Sequence, residues 1–193
     1  MAIGVLAIQG DFREHLQALA RLGVAGLPVR AATEIHACDG LIIPGGESTT
    51  IGKLAERFGL IEPIRQLAAA GKPIFGTCAG AILLAKEIEG SNQPRIGLLD
   101  AVVRRNAYGR QVESFEADLE IPELGPPRFR GVFIRAPIIQ SVNSSTLPLA
   151  RHEGRTVLAR QGKILISTFH PELTEDTRVH AYFLSLATWG RAL

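Results

Sequence analysis

Over the first half of the sequence, short uncharged runs rich in branched residues alternate with segments of helical spacing, and this rhythm narrows the available folds more than any other feature. Residues 2–8 read as a buried strand that stops at Gln9-Gly10, residues 27–30 as a second, 40–43 as a third ended by Pro44-Gly45-Gly46, and 72–75 as a fourth. Between them, Phe12, Leu16, Leu19 and Ala20 recur on one helical face behind Asp11 as cap, and residues 49–58 and 61–70 form two helical pieces divided near Gly59. Strands that alternate with helices call for a largely parallel sheet covered on both faces. The later half changes rhythm: strands over 98–104 and 129–135, a proline-rich loop over 120–128, a hairpin of 156–160 with 163–169 across Gln161-Gly162, and an amphipathic helix over 176–189. The expected fold is an α/β three-layer sandwich with a central, mainly parallel sheet and added antiparallel strands. With neither a linker nor an internal repeat, residues 1–193 read as a single domain.

Composition then removes whole classes of function. Lys and Arg number 21 against 19 for Asp and Glu, so a net charge of +2 supplies little attraction for a polyanion, and the arginines lack interleaved aromatics; no nucleic acid partner is expected. No apolar run approaches the length of a bilayer span and no basic leader precedes the first strand, so no membrane partner is expected either. Cys38 and Cys78 could form at most one bridge that a chain of this size does not require, which favours a reducing, cytoplasmic setting. His15, His36, His152 and His180 show no zinc-ligand spacing and read as surface or satisfied structural side chains; neither metal nor organic cofactor is expected.

Three loops carry candidate chemistry. The sharpest is Gly76-Thr77-Cys78-Ala79-Gly80, set between a strand and a helix-like run over 81–87. Its small residues permit a tight elbow that leaves the Cys78 sulfur exposed above the sheet, with the following backbone N–H groups open to an anion. The same pattern also serves as a plain packing turn. His170-Pro171-Glu172 follows the last strand, where imidazole can act as acid and base and a carboxylate can orient it; it also suits a capped helix start. Pro44-Gly45-Gly46-Glu47-Ser48-Thr49-Thr50 can present backbone N–H groups to developing charge, with Glu47 suited to an ammonium group, or can act as a turn and cap. It lacks the spacing of a phosphate-binding loop. Cys38, beside a buried strand, reads as structural.

Taken in order, these blocks, with Leu6-Ala7-Ile8-Gln9-Gly10, Gly109-Arg110-Gln111, Ser114-Phe115 and Phe133-Ile134-Arg135-Ala136-Pro137, resemble the class I glutamine amidotransferases. Within that family the pattern is most similar to the glutaminase subunits of two-component pyridoxal 5'-phosphate synthases. The resemblance implies L-glutamine as substrate, a catalytic set of Cys78, His170 and Glu172, and an oxyanion hole from the Gly46 and Ala79 N–H groups. It also implies that Gly46, Glu47, Ser48, Arg105, Ile134 and Arg135 surround the glutamine, with Arg105 chosen over the adjacent Arg104 by the family pattern alone. Ammonia would pass to a synthase subunit in a large hetero-oligomer, docked around Gln9 and Gly10, that uses ribose 5-phosphate and glyceraldehyde 3-phosphate. Two other functions fit the residues alone: another cysteine amidohydrolase or peptidase, separable by peptide cleavage, and a silent binding subunit, separable by binding without conversion of glutamine.

Overall fold

The computed structural model describes residues 1–105 and 114–188; the Gly109-Arg110-Gln111 block and Trp189 lie outside the described residues. The opening alternation is realised as β1 (Ala2–Leu6), α1 (Phe12–Arg21), β2 (Ala25–Val29), α2 (Ala32–His36), β3 (Gly40–Ile43), α3 (Ser48–Arg57), α4 (Ile61–Ala69), β4 (Ile74–Thr77) and α5 (Ala79–Leu84). The later half contributes β5 (Ala85–Ile88), β6 (Leu99–Arg104), β7 (Ser114–Leu119), β8 (Phe129–Ile134), β9 (Ile138–Val142), β10 (Leu147–His152), β11 (Arg155–Gln161), β12 (Ile164–Ser167) and α6 (Arg178–Thr188). In the main sheet the strands run in the order β2-β1-β3-β4-β12-β11-β9-β6-β5, with β10 also paired to β11, while β7 and β8 form a separate antiparallel ribbon.

Period-two alternation divides the core between the two faces of this sheet. Leu6, Leu41, Ile43, Ile74 and Ile166 point toward Ile51, Ala55, Ile64 and Leu67 of α3 and α4. Their neighbours Ile3, Val5, Ile42, Phe75 and Leu165 point the other way, toward Leu19 of α1, Val179 and Phe183 of α6, and Phe129 and Phe133 of the ribbon. Burying a side chain such as Phe75 completely contributes about 1.5–3 kcal/mol. Because β1, β3, β4 and β12 are mutually parallel, the loops that leave them emerge along one edge of the sheet. That edge receives Gln9, Gly45, Gly46, Cys78 and His170, the arrangement in which open α/β sheets bind ligands.

Several expectations are corrected. The helix after the elbow ends at Leu84 rather than running to residue 87: all six of its residues are buried, and at Ala85 the backbone turns extended so that β5 can pair with β6. β2 begins at Ala25, where pairing with Ala2 starts, and Pro28 is accommodated because β2 is an edge strand. Asp11 occupies the cap position of α1 without a side-chain cap bond. Residues 141–155, which carry no clear period, contain β10; register shifts against β11 at Pro148/Ala150 and Ala150/Arg151 interrupt the alternation that would have announced it. The hairpin across Gln161-Gly162 forms as expected. Among the described residues, no helix is long and apolar enough to cross a membrane.

Candidate active site

Cys78 stands between β4 and α5 with φ 47° and ψ −99°, a conformation that L-residues rarely hold and that needs support from both sides. Close packing supplies it. A Cβ on Gly76 would lie 2.6 Å from the Gly80 carbonyl, and one on Gly80 would collide with the Ile43 carbonyl oxygen, so both positions admit only glycine without displacement. The expectation of an exposed sulfur is corrected: Cys78 is 7% exposed, but it lines a cavity of about 430 Å³. Its Sγ lies 3.9 Å from the Ile134 carbonyl oxygen. Ala79 opens α5, so its N–H has no carbonyl partner within the helix.

His170 is fixed by its own backbone, whose N–H donates to the Val132 carbonyl of β8 at 2.8 Å. Its Nδ1 lies 2.8 Å from Oε1 of buried Glu172, which leaves Nε2 as the nitrogen available for the hydrogen bond to Cys78. Burial disfavours the imidazolium, but the hydrogen bond with Cys78 and the contact with the Glu172 carboxylate outweigh it and raise the His170 pKa to about 10. Burial pushes Glu172 upward, while the His170 hydrogen bond and charge pull it back. Asp11 completes the surroundings, with Oδ2 at 3.7 Å from His170 Nδ1, and partial burial raises its pKa against the opposing influence of that histidine. Asp11, His170 and Glu172 are the one grouping among the described residues with metal-ligand atoms in mutual reach, and His170 Nδ1 is already committed to Glu172.

The glycine loop interlocks with its neighbours. Gly46 has φ +151°, and a Cβ there would sit 2.6 Å from Gln9 Oε1, the same atom that accepts the Glu47 N–H at 2.9 Å. The Asp11 N–H donates to the Gly45 carbonyl at 3.1 Å, and a Cβ on Gly45 would lie 2.9 Å from His170 Nδ1. Gln9 and Gly10 are therefore partly exposed residues that also clamp the candidate oxyanion loop.

The cavity is lined by Gln9, Asp11, Gly46, Glu47, Ser48, Cys78, Ile82, Arg105, Ile134, Arg135 and His170, so the sequence-predicted substrate residues are brought together on one space. Ser48 Oγ is buried there without a hydrogen-bond partner, a polar atom available to a ligand. Arg105 donates to Thr49 Oγ1 at 2.8 Å, Gln93 Oε1 at 2.7 Å and Glu47 Oε1 at 3.1 Å, whereas Arg104 is drawn away to Glu89. Glu47 also accepts from the N–H groups of Thr49 and Thr50; these bonds and Arg105 outweigh its partial burial and lower its pKa. Arg135 follows β8 with φ 42°, a second strained backbone facing the same space. Sequence reasoning missed Asp11 as a neighbour of His170, and Thr49 and Gln93 as partners of Arg105. The Thr49 signal lay inside the glycine loop; Gln93 carried none. Cys38 is buried beneath β1 as expected, and burial raises its thiol pKa.

The model of the SNO glutamine amidotransferase family matches residues 5–188. The chain belongs to that family. Among individual relatives, a pyridoxal 5'-phosphate synthase subunit PdxT of Moorella thermoacetica is 58% identical, with 96% of this chain and 99% of that one covered. The subunit of the same name from Carboxydothermus hydrogenoformans is 60% identical over 98% of this chain and 100% of its own length. A crystal structure of a glutamine amidotransferase superposes with a TM-score of 0.92 at 57% identity, covering 96% of this chain and 98% of that one. As a member of the family, the chain has an α/β amidotransferase fold, and the elbow, the histidine loop and the glycine loop surround its candidate active site.

Proposed function

We propose that this chain is a glutaminase that hydrolyses L-glutamine to L-glutamate and ammonia through a Cys78 thioester, and that residues 1–193 act as a single glutaminase domain. The observation that carries the reading is the convergence of an elbow cysteine, a histidine oriented by a buried carboxylate and the glycine loop on one cavity.

Transfer of the Cys78 proton to His170 Nε2 gives a thiolate and an imidazolium. The thiolate attacks the side-chain carboxamide carbon, and the oxyanion is held by the N–H groups of Gly46 and Ala79. Collapse of the tetrahedral intermediate breaks the C–N bond as His170 gives its proton to the departing ammonia. A water deprotonated by His170 then attacks the thioester, the C–S bond breaks, glutamate leaves and the thiolate is regenerated. Glu172 holds the imidazole in orientation and stabilises its cationic form. Glu47 faces the substrate ammonium, Ser48 offers an unpartnered hydroxyl, Arg105 and Arg135 attract its carboxylate, and Ile134 lines the same cavity with its carbonyl oxygen 3.9 Å from the thiol sulfur.

The likeness to synthase subunits supports a destination for the ammonia. We place the ammonia with a separate synthase subunit, in a hetero-oligomer, that combines it with ribose 5-phosphate and glyceraldehyde 3-phosphate into pyridoxal 5'-phosphate. The two free cysteines accord with a cytoplasmic enzyme. Docking at Gln9 and Gly10 would act on Gly45 and Gly46 through the interlocked loops described above. The test is a titration of the chain with the cognate synthase, with glutamate and pyridoxal 5'-phosphate both measured. Weak basal turnover that rises markedly with synthase is expected. Full glutaminase activity unchanged at saturating synthase refutes the coupling, and absence of cofactor synthesis with a verified partner refutes the pathway.

A further inference from the structure

Behind Glu172, on the side away from the cavity, two histidines form a buried chain that the catalytic scheme above does not use. His15 of α1 and His180 of α6 are both fully buried, with His15 Nδ1 3.0 Å from His180 Nε2. The other nitrogen of His15, Nε2, lies 3.1 Å from Thr77 Oγ1, one residue before the nucleophile, and 3.6 Å from Glu172 Oε1. This same Oε1 accepts from His170.

Two proton arrangements are open to a neutral pair. If His15 carries its proton on Nδ1, it turns an Nε2 lone pair toward the Glu172 carboxylate and forces His180 to place an N–H at Nδ1. That atom is buried without a partner, and an orphaned donor is the costlier vacancy. If His180 donates from Nε2, His15 accepts at Nδ1 and its own Nε2–H faces Thr77 and Glu172; the orphan is then only a lone pair. Burial lowers both histidines, His180 to about 4, which keeps the pair neutral near pH 7.

We propose that His15 is a positioning residue whose Nε2–H, aimed into the wedge between Thr77 Oγ1 and Glu172 Oε1, keeps Glu172 ionised and directed at His170, and that His180 fixes the His15 tautomer. The inference rests on the catalytic reading of Cys78, His170 and Glu172. The charged and titratable groups facing this assembly are Cys78 and Asp11 beside His170, Glu14 beside Asp11, and Arg21 near His180. Loss of the His15 donor leaves the buried carboxylate with one fewer stabilising dipole. Glu172 then takes a proton at higher pH, and the imidazolium that supports the Cys78 thiolate is lost with it.

The experiment measures the rate of Cys78 alkylation by iodoacetamide against pH, on the full-length chain, with Cys38 replaced by Ala. His15→Leu removes the donor, while His15→Gln retains an N–H at the corresponding place. In His15→Leu the acid limb of the profile is expected to move up by about half to one pH unit, a 3- to 10-fold change in proton concentration. His15→Gln should restore most of the shift, and kcat in the synthase complex should fall about 5- to 30-fold in His15→Leu with KM little changed. A purely structural role would lower the melting temperature and leave the limb in place, which overturns the proposal. Long-range proton–nitrogen correlation spectra of the unmodified chain test it without any variant: both rings should be neutral at pH 7 with the proton on Nε2, and an Nδ1-protonated His15 overturns it. Failure of the parent chain to alkylate at Cys78 at any pH would instead refute the catalytic reading itself.

Discussion

Replacing Gly10 by Ala probes the link between an exposed loop and the oxyanion site. Gly10 has φ +97°, and a Cβ there would overlap the Gly45 carbonyl oxygen. That oxygen must retreat by about 1 Å or more to reach normal contact, a displacement that costs on the order of 100-fold when it reaches reacting groups. The Gly45 oxygen also accepts the Asp11 N–H, and its peptide leads directly into the Gly46 N–H. Moving it therefore misdirects one of two oxyanion donors, a change worth about 2.7–4 kcal/mol or 10²–10³ in kcat. Glutamate release should be measured at saturating synthase, with partner binding determined separately by sedimentation. The expected result is a kcat lowered 10²–10³-fold while iodoacetamide still alkylates Cys78 within about 3-fold of the normal rate, because the added Cβ meets only the Gly45 and Gly46 backbone and not the thiol, His170 or Glu172. A Gly10→Ala chain that binds synthase and turns over within about 3-fold of the parent would refute the coupling of this loop to the oxyanion hole.

Brief alkylation followed by peptide mapping should label Cys78 in preference to Cys38, whose thiol is fully buried and raised in pKa by that burial; preferential Cys38 labelling would contradict the assignment. His170→Ala should lower turnover by about 10²–10⁴-fold in the synthase complex, as loss of an acid and base does. Glu172→Gln should leave glutamine binding largely intact while impairing kcat, which equilibrium binding and steady-state kinetics separate. Because the folded His170 pKa is raised to about 10 from an ordinary 6.5, its contribution to stability is fully present below about pH 6.5 and declines as pH rises through 10. Melting temperatures should fall over that window and the slope should flatten in His170→Ala; an unchanged slope would count against the buried ion pair.

β1, β3 and β4 were legible because they are buried on both faces and read as apolar runs, as in Gly40–Ile43, whereas β2 is a mostly exposed edge strand. The elbow and the glycine loop were legible because close backbone approach admits only glycine, which leaves a mark in the sequence at Gly46, Gly76 and Gly80. At the far side of the sheet β5, β9 and β10 were not, although β6 among them was. β10 is bulged, and β5 follows a helix without a turn residue between Leu84 and Ala85. Site residues brought in from a distance were equally hidden. Gln93 reaches Arg105 from an irregular segment, and His15 lies at an inward position of an amphipathic helix where a buried polar side chain resembles any other. Its spacing of one helical turn from Asp11 becomes informative only after α6 brings His180 to meet it.

Whether Cys78 is the nucleophile of glutamine hydrolysis is decided by inactivation with a glutamine analogue in which the carboxamide is replaced by a chloroketone. With the synthase complex, one label per chain should appear on the peptide containing Cys78, activity should be lost in proportion to labelling, and glutamine should protect against both. Labelling at another residue, or glutaminase activity that survives complete modification of Cys78, would contradict the account.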